Sequence, residues 1–388
     1  MTPKKDQVEA LKRIKKWFKE KKGDRSDFMV LSGYAGTGKS TLLGWLRDEL
    51  GLEYLDVVYT SFTGKATNVL AQGGLRAMTL HRLLYKTRFN KKTGTYFSTL
   101  KPDGLAESLI VVDEASMLSR KLFDDLKNIH GKFKVLFVGD DAQLPPIDSS
   151  FNIMDKPDFR LTRVLRQAAL NPIIRLATKI RNGEPWKIET VINDGLGYMP
   201  VTEEVLKEST SRLFENDVFL CSTNRDRVSI NRHIREDIHA SKSKKKIGIL
   251  SKDDRLIVLD NCKEQDLFNG QLFKVSKFKK IDKHKTIVYG SEVGVEDSDR
   301  TIVIHPHSFL SEKASNRFEL SKKHKLDFKA MGVSCDYAYC LTVHKSQGSE
   351  FERVFLQLTD RDKRIWGDLY YRWLYTAVTR ASKNLYFV

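Results

Sequence analysis

The octapeptide Gly33-Tyr34-Ala35-Gly36-Thr37-Gly38-Lys39-Ser40 stands between an apolar run, Phe28 to Leu31, and a helical stretch that begins at Lys39. A strand that ends in such a loop and feeds a helix belongs to a parallel sheet flanked by helices, which makes the fold class α/β. Glycines let backbone N–H groups close around phosphates, Lys39 can neutralise β and γ groups, and the Ser40 hydroxyl can ligate magnesium at the helix N-terminus. A merely flexible Gly-rich turn has no need of the flanking strand and helix.

Around this loop apolar runs and helical stretches alternate: Val57 to Tyr59, a helix from Gly64, Leu109 to Val112, a helix from Arg120, and Val135 to Val138. The alternation predicts a parallel sheet covered by helices. Ahead of it, Thr2 and Pro3 make a cap and first turn, and Val8, Leu11, Ile14 and Phe18 recur at helical spacing. Between Tyr85 and Leu100 the pattern breaks. Asn90 to Gly94, set between Phe89 and Tyr96-Phe97, predicts a hairpin with aromatic flanks that projects from the first domain. A second alternating region runs from Asp217 to His239 and resumes from Asp336 to Val388, with strands predicted at Val218 to Cys221, Tyr337 to Leu341, Val354 to Leu358 and Leu385 to Val388. The Lys-rich β segments from Lys244 to Ala330 read as an insertion into that second α/β domain, with turns at Asn269-Gly270 and His305-Pro306.

A bound triphosphate with magnesium needs a carboxylate from a neighbouring strand end, and Leu109-Ile110-Val111-Val112-Asp113-Glu114 supplies one. Asp113 would hold the metal through water, and Glu114 is placed to polarise the attacking water, which turns a nucleotide binder into a hydrolase. The run Val135 to Val138 ends in Gly139-Asp140-Asp141-Ala142-Gln143-Leu144-Pro145-Pro146. Gln143 is a neutral group that could bond both water and γ-phosphate and so report whether that phosphate is present. Lys and Arg outnumber Asp and Glu by 67 to 50 in 388 residues, a net charge of +17. A balance of that size points to a polyanion, bound through sequence-independent phosphate contacts. The four cysteines, Cys221, Cys262, Cys335 and Cys340, form no C-x-x-C pair, and no apolar run approaches the length of a membrane span. These features predict a reduced, soluble, cytoplasmic protein.

Eight motifs in order carry a resemblance to superfamily 1 helicases, and within them to the 1B group of RecD and the bacteriophage Dda helicase. They are G-Y-A-G-T-G-K-S-T, T-S-F-T-G-K-A, T-L-H-R-L-L, V-V-D-E-A-S-M, G-D-D-A-Q-L-P-P-I, L-T-R-V-L-R-Q, T-V-H-K-S-Q-G and Y-T-A-V-T-R-A-S. The resemblance implies two RecA-like motor domains, with ATP and Mg2+ as cofactors. The first would span 1–160 with a pin hairpin at 85–106, the second 161–243 and 331–388, and an SH3-like β insertion 244–330. Nucleotide contacts would come from Gly33, Ala35, Gly36, Thr37, Gly38, Lys39, Ser40 and Thr41, with Gln7 reading adenine and Gln347, Gly348 and Glu350 joining the ATP site to nucleic acid. Ser40 and Asp113 would hold the metal. Arg166 and Arg380 match the family's arginine fingers, which reach in from the second motor domain beside Lys39, Glu114 and Gln143. Thr63, Lys65 and His81 in the first half and Asn224, Thr342, His344 and Lys345 in the second match the nucleic-acid track. Phe89, Tyr96 and Phe97 match the pin that splits a duplex.

The implied function is a monomeric DNA helicase moving 5′ to 3′ on single-stranded and forked DNA in a bacterial or phage-infected cell. Further partners would be single-strand binding, replication or recombination proteins, and no membrane. Replication, recombination and repair all suit it. A translocase that remodels RNA or nucleoprotein without strong unwinding is the nearest alternative, and a binding module with a silent ATPase is a second. A small-molecule kinase would also use a phosphate loop, yet it has no use for a second α/β half and a pin.

Overall fold

The computed structural model of the chain describes residues 3–20, 27–90, 95–101, 104–146, 151–211, 217–240, 248–260, 262, 265, 267, 269–293, 299–309 and 331–388, excepting the side chains of 87–90, 95–98, 166, 167, 211, 240 and 307. The chain forms two compact units: one of Met1–Arg88, Tyr96–Trp186 and Asp368–Thr379, the other of Phe89–Thr95, Lys187–Gly367 and Arg380–Val388.

The first unit begins with α1 (Lys5–Lys19), β1 (Phe28–Gly33), α2 (Lys39–Leu50), β2 (Val57–Ser61), α3 (Gly64–Gln72), β3 (Ala77–Thr79) and α4 (Leu80–Leu84). Next in the chain come the paired strands of the predicted hairpin, β4 (Tyr85–Asn90) and β5 (Thr95–Leu100), divided between the units at Arg88 and Tyr96; the first unit continues with β6 (Leu109–Val112), α5 (Arg120–Asn128), β7 (Lys134–Gly139), β8 (Phe159–Leu161), α6 (Arg166–Leu170) and α7 (Pro172–Asn182). Six parallel strands lie in the order β3-β2-β6-β7-β1-β8. Their apolar runs follow from burial on both faces. Leu42, Leu43 and Leu46 of α2 and Ala10, Leu11 and Ile14 of α1 cover one face, and Leu83, Leu122 and Leu126 cover the other.

Helix α1 starts at Lys5 and buries Gln7, Ala10, Leu11, Ile14 and Trp17. The stripe predicted through Val8 and Phe18 is therefore turned: Val8 is exposed, and Trp17 takes the core position beside Phe18. The predicted boundary at 160 also moves. Strand β8 pairs with β1, and α6 and α7 belong to the same unit, which runs on to Trp186.

The second unit contains β9 (Val191–Asn193), β10 (Leu196–Pro200), α8 (Glu203–Ser211), β11 (Asp217–Cys221), α9 (Asn224–Ala240), β12 (Arg255–Val258), β13 (Leu272–Lys280), β14 (Thr286–Glu292), β15 (Asp299–His305), β16 (Val333–Tyr337), β17 (Cys340–Thr342), β18 (Phe351–Leu356) and α10 (Asp360–Trp366). After α11 (Tyr370–Val378), which lies in the first unit and packs on α7, the chain returns as β19 (Ala381–Phe387). The sheet order is β17-β11-β18-β19-β10-β9, parallel except at β9–β10, while β12 to β16 close a small barrel. The Lys-rich insertion is this barrel, and its last strand passes the boundary predicted at 330. The strand predicted from Tyr337 to Leu341 is divided, because β16 ends the barrel and β17 joins the sheet. All four cysteines are buried, with the Sγ atoms of Cys221 and Cys340 3.5 Å apart. Among the described residues no helix is long and apolar enough to cross a membrane.

One buried carboxylate ties α9 to the barrel. Asp254, fully buried, accepts from Arg235 at 3.0 Å through both oxygens, from Tyr339 at 2.8 Å and from the Ser251 amide at 2.7 Å, and lies 2.9 Å from His239 Nε2. Burial pushes its pKa up, but the bonds from His239 and Arg235 outweigh that and hold it below the usual carboxylate range. Removing one partner of such a cluster strands a buried charge, so Asp254→Ala should cost about 3–5 kcal/mol in thermal or denaturant unfolding of the second unit. A loss under about 1 kcal/mol would show the network to be dispensable.

Candidate nucleotide site and nucleic-acid track

Parallel α/β sheets place their ligands at the carboxyl ends of the strands. In the first unit the three adjacent strands β6, β7 and β1 end in Asp113-Glu114, in the turn bearing Gln143, and in the phosphate loop. The site residues predicted from these three motifs therefore share one sheet edge.

Gly36 and Gly38 have φ values of 76° and 80°, a left-handed conformation that L side chains rarely adopt. A Cβ on Gly38 would lie 2.5 Å from Gln7 Nε2 and 2.9 Å from Leu165 Cδ1, and one on Gly36 would lie 2.9 Å from Ala168 Cβ. The loop is thus pinned between α1 and the start of α6. Gln7, buried, donates from Nε2 to the Gly38 carbonyl at 3.1 Å and accepts from the Lys4 amide at 2.9 Å, so its amide braces the loop from beneath. Thr37 Oγ1 donates to the Tyr34 carbonyl at 2.8 Å, and Lys39 Nζ donates to the Gly33 and Tyr34 carbonyls at 2.6 and 3.2 Å. No side chain caps α2, so Ser40 and Thr41 begin the helix with their amides open to a ligand.

Asp113 and Glu114 make a crowded pair. The Glu114 amide donates to Asp113 Oδ1 at 2.9 Å, and Glu114 itself has a φ of 56°, a strained value for a residue with a Cβ. Burial first, and the neighbouring Glu114 charge second, push the Asp113 carboxyl up to about 7, against the pull of Lys39. Ser40 and Asp113 are oxygen donors of the kind a hard divalent cation takes. Gln143 is 5% exposed, and its Oε1 has no hydrogen-bond partner. A buried amide oxygen left open on this edge fits a water that donates to it.

Two residues that sequence reading passed over organise the same edge. Asp140 is fully buried and accepts from the Tyr375 hydroxyl at 2.7 Å, and that hydroxyl accepts from the Ala35 amide at 2.9 Å. Asp141 accepts from Ser32 at 2.5 Å and from Arg160 Nη2 at 2.6 Å. Both carboxylates stand in the quoted motif G-D-D-A-Q, and Tyr375 opens Y-T-A-V-T-R; two acids at the end of an apolar strand were the available signal.

The arginines fall differently from expectation. Arg166 opens α6 in the first unit, not the second, and its side chain lies outside the described set. Its position follows from the Leu165 amide, which donates to the Gly36 carbonyl at 2.9 Å. Arg380 belongs to the second unit, is 6% exposed, and donates from Nη1 to the Ser349 carbonyl at 3.0 Å. Gln347, buried, Gly348 (φ 68°) and Glu350 lie in the loop between β17 and β18 of that unit.

The track residues occupy matching places in the two sheets. Thr63 and Lys65 follow β2 and His81 follows β3, strands paired in parallel with Ser61 opposite Thr79; Asn224 follows β11 and His344 and Lys345 follow β17, paired with Cys221 opposite Thr342. Thr63 and Thr342 each accept the backbone amide three residues on, at 3.2 and 3.4 Å, fixing the turns that carry Lys65 and Lys345. Lys345 Nζ reaches Asn269 Oδ1 at 3.4 Å, Asn224 Oδ1 accepts from Arg227 at 3.1 Å, and His344 packs on Trp366 with centroids 5.1 Å apart. Desolvation holds the His344 imidazole below its ordinary range, and desolvation followed by the Lys121 charge does the same for His81. The side chains of Phe89, Tyr96 and Phe97 lie outside the described set; Phe89 belongs to β4 and Tyr96 and Phe97 to β5, which pair as a two-stranded sheet.

Residues 5–196 match an AAA domain family and residues 337–388 match the UvrD-like helicase C-terminal domain. The chain is 39% identical over 166 residues to the ATP-dependent RecD2 DNA helicase of Deinococcus radiodurans, covering 40% of this chain and 22% of that protein, so it spans about a fifth of that relative's length. To the RecBCD enzyme subunit RecD of Buchnera aphidicola it is 22% identical over 447 residues, covering 93% of this chain and 70% of that one. Pif1 helicase from Bacteroides, solved in complex with ADP-AlF3 and ssDNA, shares the fold with a TM-score of 0.55 and 16% identity, covering 100% of this chain and 92% of that one. The two family matches and the ordered motifs make this chain similar to the RecD/Pif1-like superfamily 1B helicases, and it shares with the Pif1 structure a fold of two RecA-like domains.

Proposed function

We propose that the chain is an ATP-dependent DNA helicase that moves 5′ to 3′ along single-stranded DNA and couples hydrolysis to duplex unwinding. The observation that carries the reading is the convergence of the phosphate loop, the Asp113-Glu114 pair and the open Gln143 amide on adjacent strand ends of one sheet.

In this reading the loop amides and Lys39 bind the ATP phosphates, Lys39 leaving the Gly33 and Tyr34 carbonyls to do so. Ser40 and Asp113 would hold a magnesium ion, whose charge would neutralise the β and γ oxygens. Glu114 takes a proton from the attacking water as it adds to γ-phosphorus and the bond from γ-phosphorus to the β,γ-bridging oxygen breaks, leaving ADP and inorganic phosphate, while Gln143 orients that water. Arg166 and Arg380 stabilise charge spreading over the γ-phosphate, and dependence on an arginine from the second unit makes hydrolysis follow the state of both motor halves. Thr63, Lys65 and His81, with Asn224, Thr342, His344 and Lys345, hold the DNA backbone in alternation. The β4–β5 hairpin is the element that parts the duplex, and Gln7 with the Gln347 to Glu350 loop adjusts the nucleotide site. Replication, recombination and repair are the settings this activity serves.

The test is steady-state hydrolysis with and without oligo-dT. ATPase should be stimulated by the single strand and abolished in Lys39→Ala; unstimulated hydrolysis, or activity retained in Lys39→Ala, contradicts the reading.

A further inference from the structure

Helix α11 turns one face toward the strand-end loops of the first unit. Arg372, Tyr375 and Thr376, at the i, i+3 and i+4 spacing that puts side chains side by side on a helix, all bond to the turn after β7. Arg372 Nη2 donates to the Asp141 carbonyl, Tyr375 Oη donates to Asp140 Oδ2 at 2.7 Å, and Thr376 Oγ1 accepts from the Leu144 amide at 2.9 Å. Asp140 and Leu144 bracket Gln143, so the helix grips the turn on both sides of a buried amide whose oxygen is open.

Tyr375 does more than grip the turn. Its hydroxyl also accepts from the Ala35 amide at 2.9 Å, so a single phenol joins the middle of the phosphate loop to the Gln143 turn. The residue is 1% exposed, and a Phe ring would fill the same space. Burying a phenolic oxygen costs free energy unless both its proton and its lone pair are used, and here both are. Asp140 faces the same demand: burial pushes its carboxyl up, and the Lys39 charge, the Tyr375 hydroxyl and the Ala142 amide oppose that.

We propose that Tyr375 is a positioning residue for ATP hydrolysis, its hydroxyl holding the Ala35 amide and the Asp140 carboxylate together so that Gln143 stands in register with the phosphate loop. The proposal rests on the hydrolase reading given above. In the chain, Arg380 follows α11 by two residues, so the helix that sets Gln143 also leads directly to an arginine finger.

The test is Tyr375→Phe, alone and in an Asp140→Asn background, with ATPase at saturating oligo-dT and thermal melting of each variant. Misplacing a group that acts on the attacking water lowers turnover without weakening ground-state binding, so kcat should fall about tenfold or more while KM for ATP stays within about threefold. The melting temperature should shift by no more than about 4 °C. In the Asp140→Asn background the same substitution should cost less than about threefold, since residues acting as one unit are not additive. Unchanged kcat in Tyr375→Phe, a rise in KM that parallels loss of melting temperature, or an equal loss in both backgrounds would overturn the proposal. The wild type and Lys39→Ala are run alongside: a wild type without single-strand-stimulated hydrolysis, or an active Lys39→Ala, overturns the underlying reading and this proposal with it.

Discussion

Replacing Arg380 by Ala is expected to slow ATP hydrolysis by about 10³ while nucleotide affinity stays near that of the wild type. The phosphate loop, Lys39 and the Gln7 brace all belong to the first unit, whereas Arg380 belongs to the second, so the binding elements survive the substitution. On the proposed mechanism the substitution removes a guanidinium that acts on the transition state, a loss that appears in kcat and not in binding. Arg380 is nearly buried and donates to the Ser349 carbonyl, so a preformed geometry is removed and not a mobile surface charge. Single-turnover hydrolysis beside fluorescent-nucleotide titration measures both quantities. Wild-type hydrolysis in the variant would take Arg380 out of the mechanism.

Glu114→Gln is expected to keep ATP binding and single-strand binding and to reduce hydrolysis by about 10²–10⁴, the usual contribution of a positioned base. The strained φ of 56° at Glu114 supports a functional demand at this position, since Gly would relieve that conformation more cheaply. The substitution also removes the charge that helps push Asp113 up. The Asp113 carboxyl should then ionise more readily, so metal and nucleotide binding are preserved or improved as hydrolysis falls. A variant that loses nucleotide affinity and hydrolysis in parallel would mark Glu114 as a structural residue.

The parts of the site legible in the sequence are those written along a short stretch of chain. Gly33 to Ser40, Val112-Asp113-Glu114 and Gly139 to Gln143 each join a strand end to its chemistry within a few residues, and a parallel sheet gathers such ends on one edge. The Tyr375 bond to Ala35 crosses 340 positions, and nothing local marks it. The same distance hid the return of α11 to the first unit. Periodicity failed where apolar residues run on: Tyr337 to Leu341 is continuous in pattern, and only the pairing of β16 in the barrel and β17 in the sheet divides it. In α1 the stripe was found but turned, because Gln7, a polar residue, takes a buried place by bonding to Gly38, and Val8 is left exposed. The boundary at 160 failed because β8 is three residues long and pairs at the sheet edge. Arg166 was accordingly assigned to the wrong half.

The most direct test of the motor is strand release from forked duplexes carrying only a 5′ or only a 3′ single-stranded tail, in DNA and in RNA, with ATP and with a non-hydrolysable analogue. Release of DNA from the 5′-tailed substrate, dependent on hydrolysis, is the expected result. Release from the 3′-tailed fork alone, or single-strand-stimulated ATPase with no release from either, would contradict it.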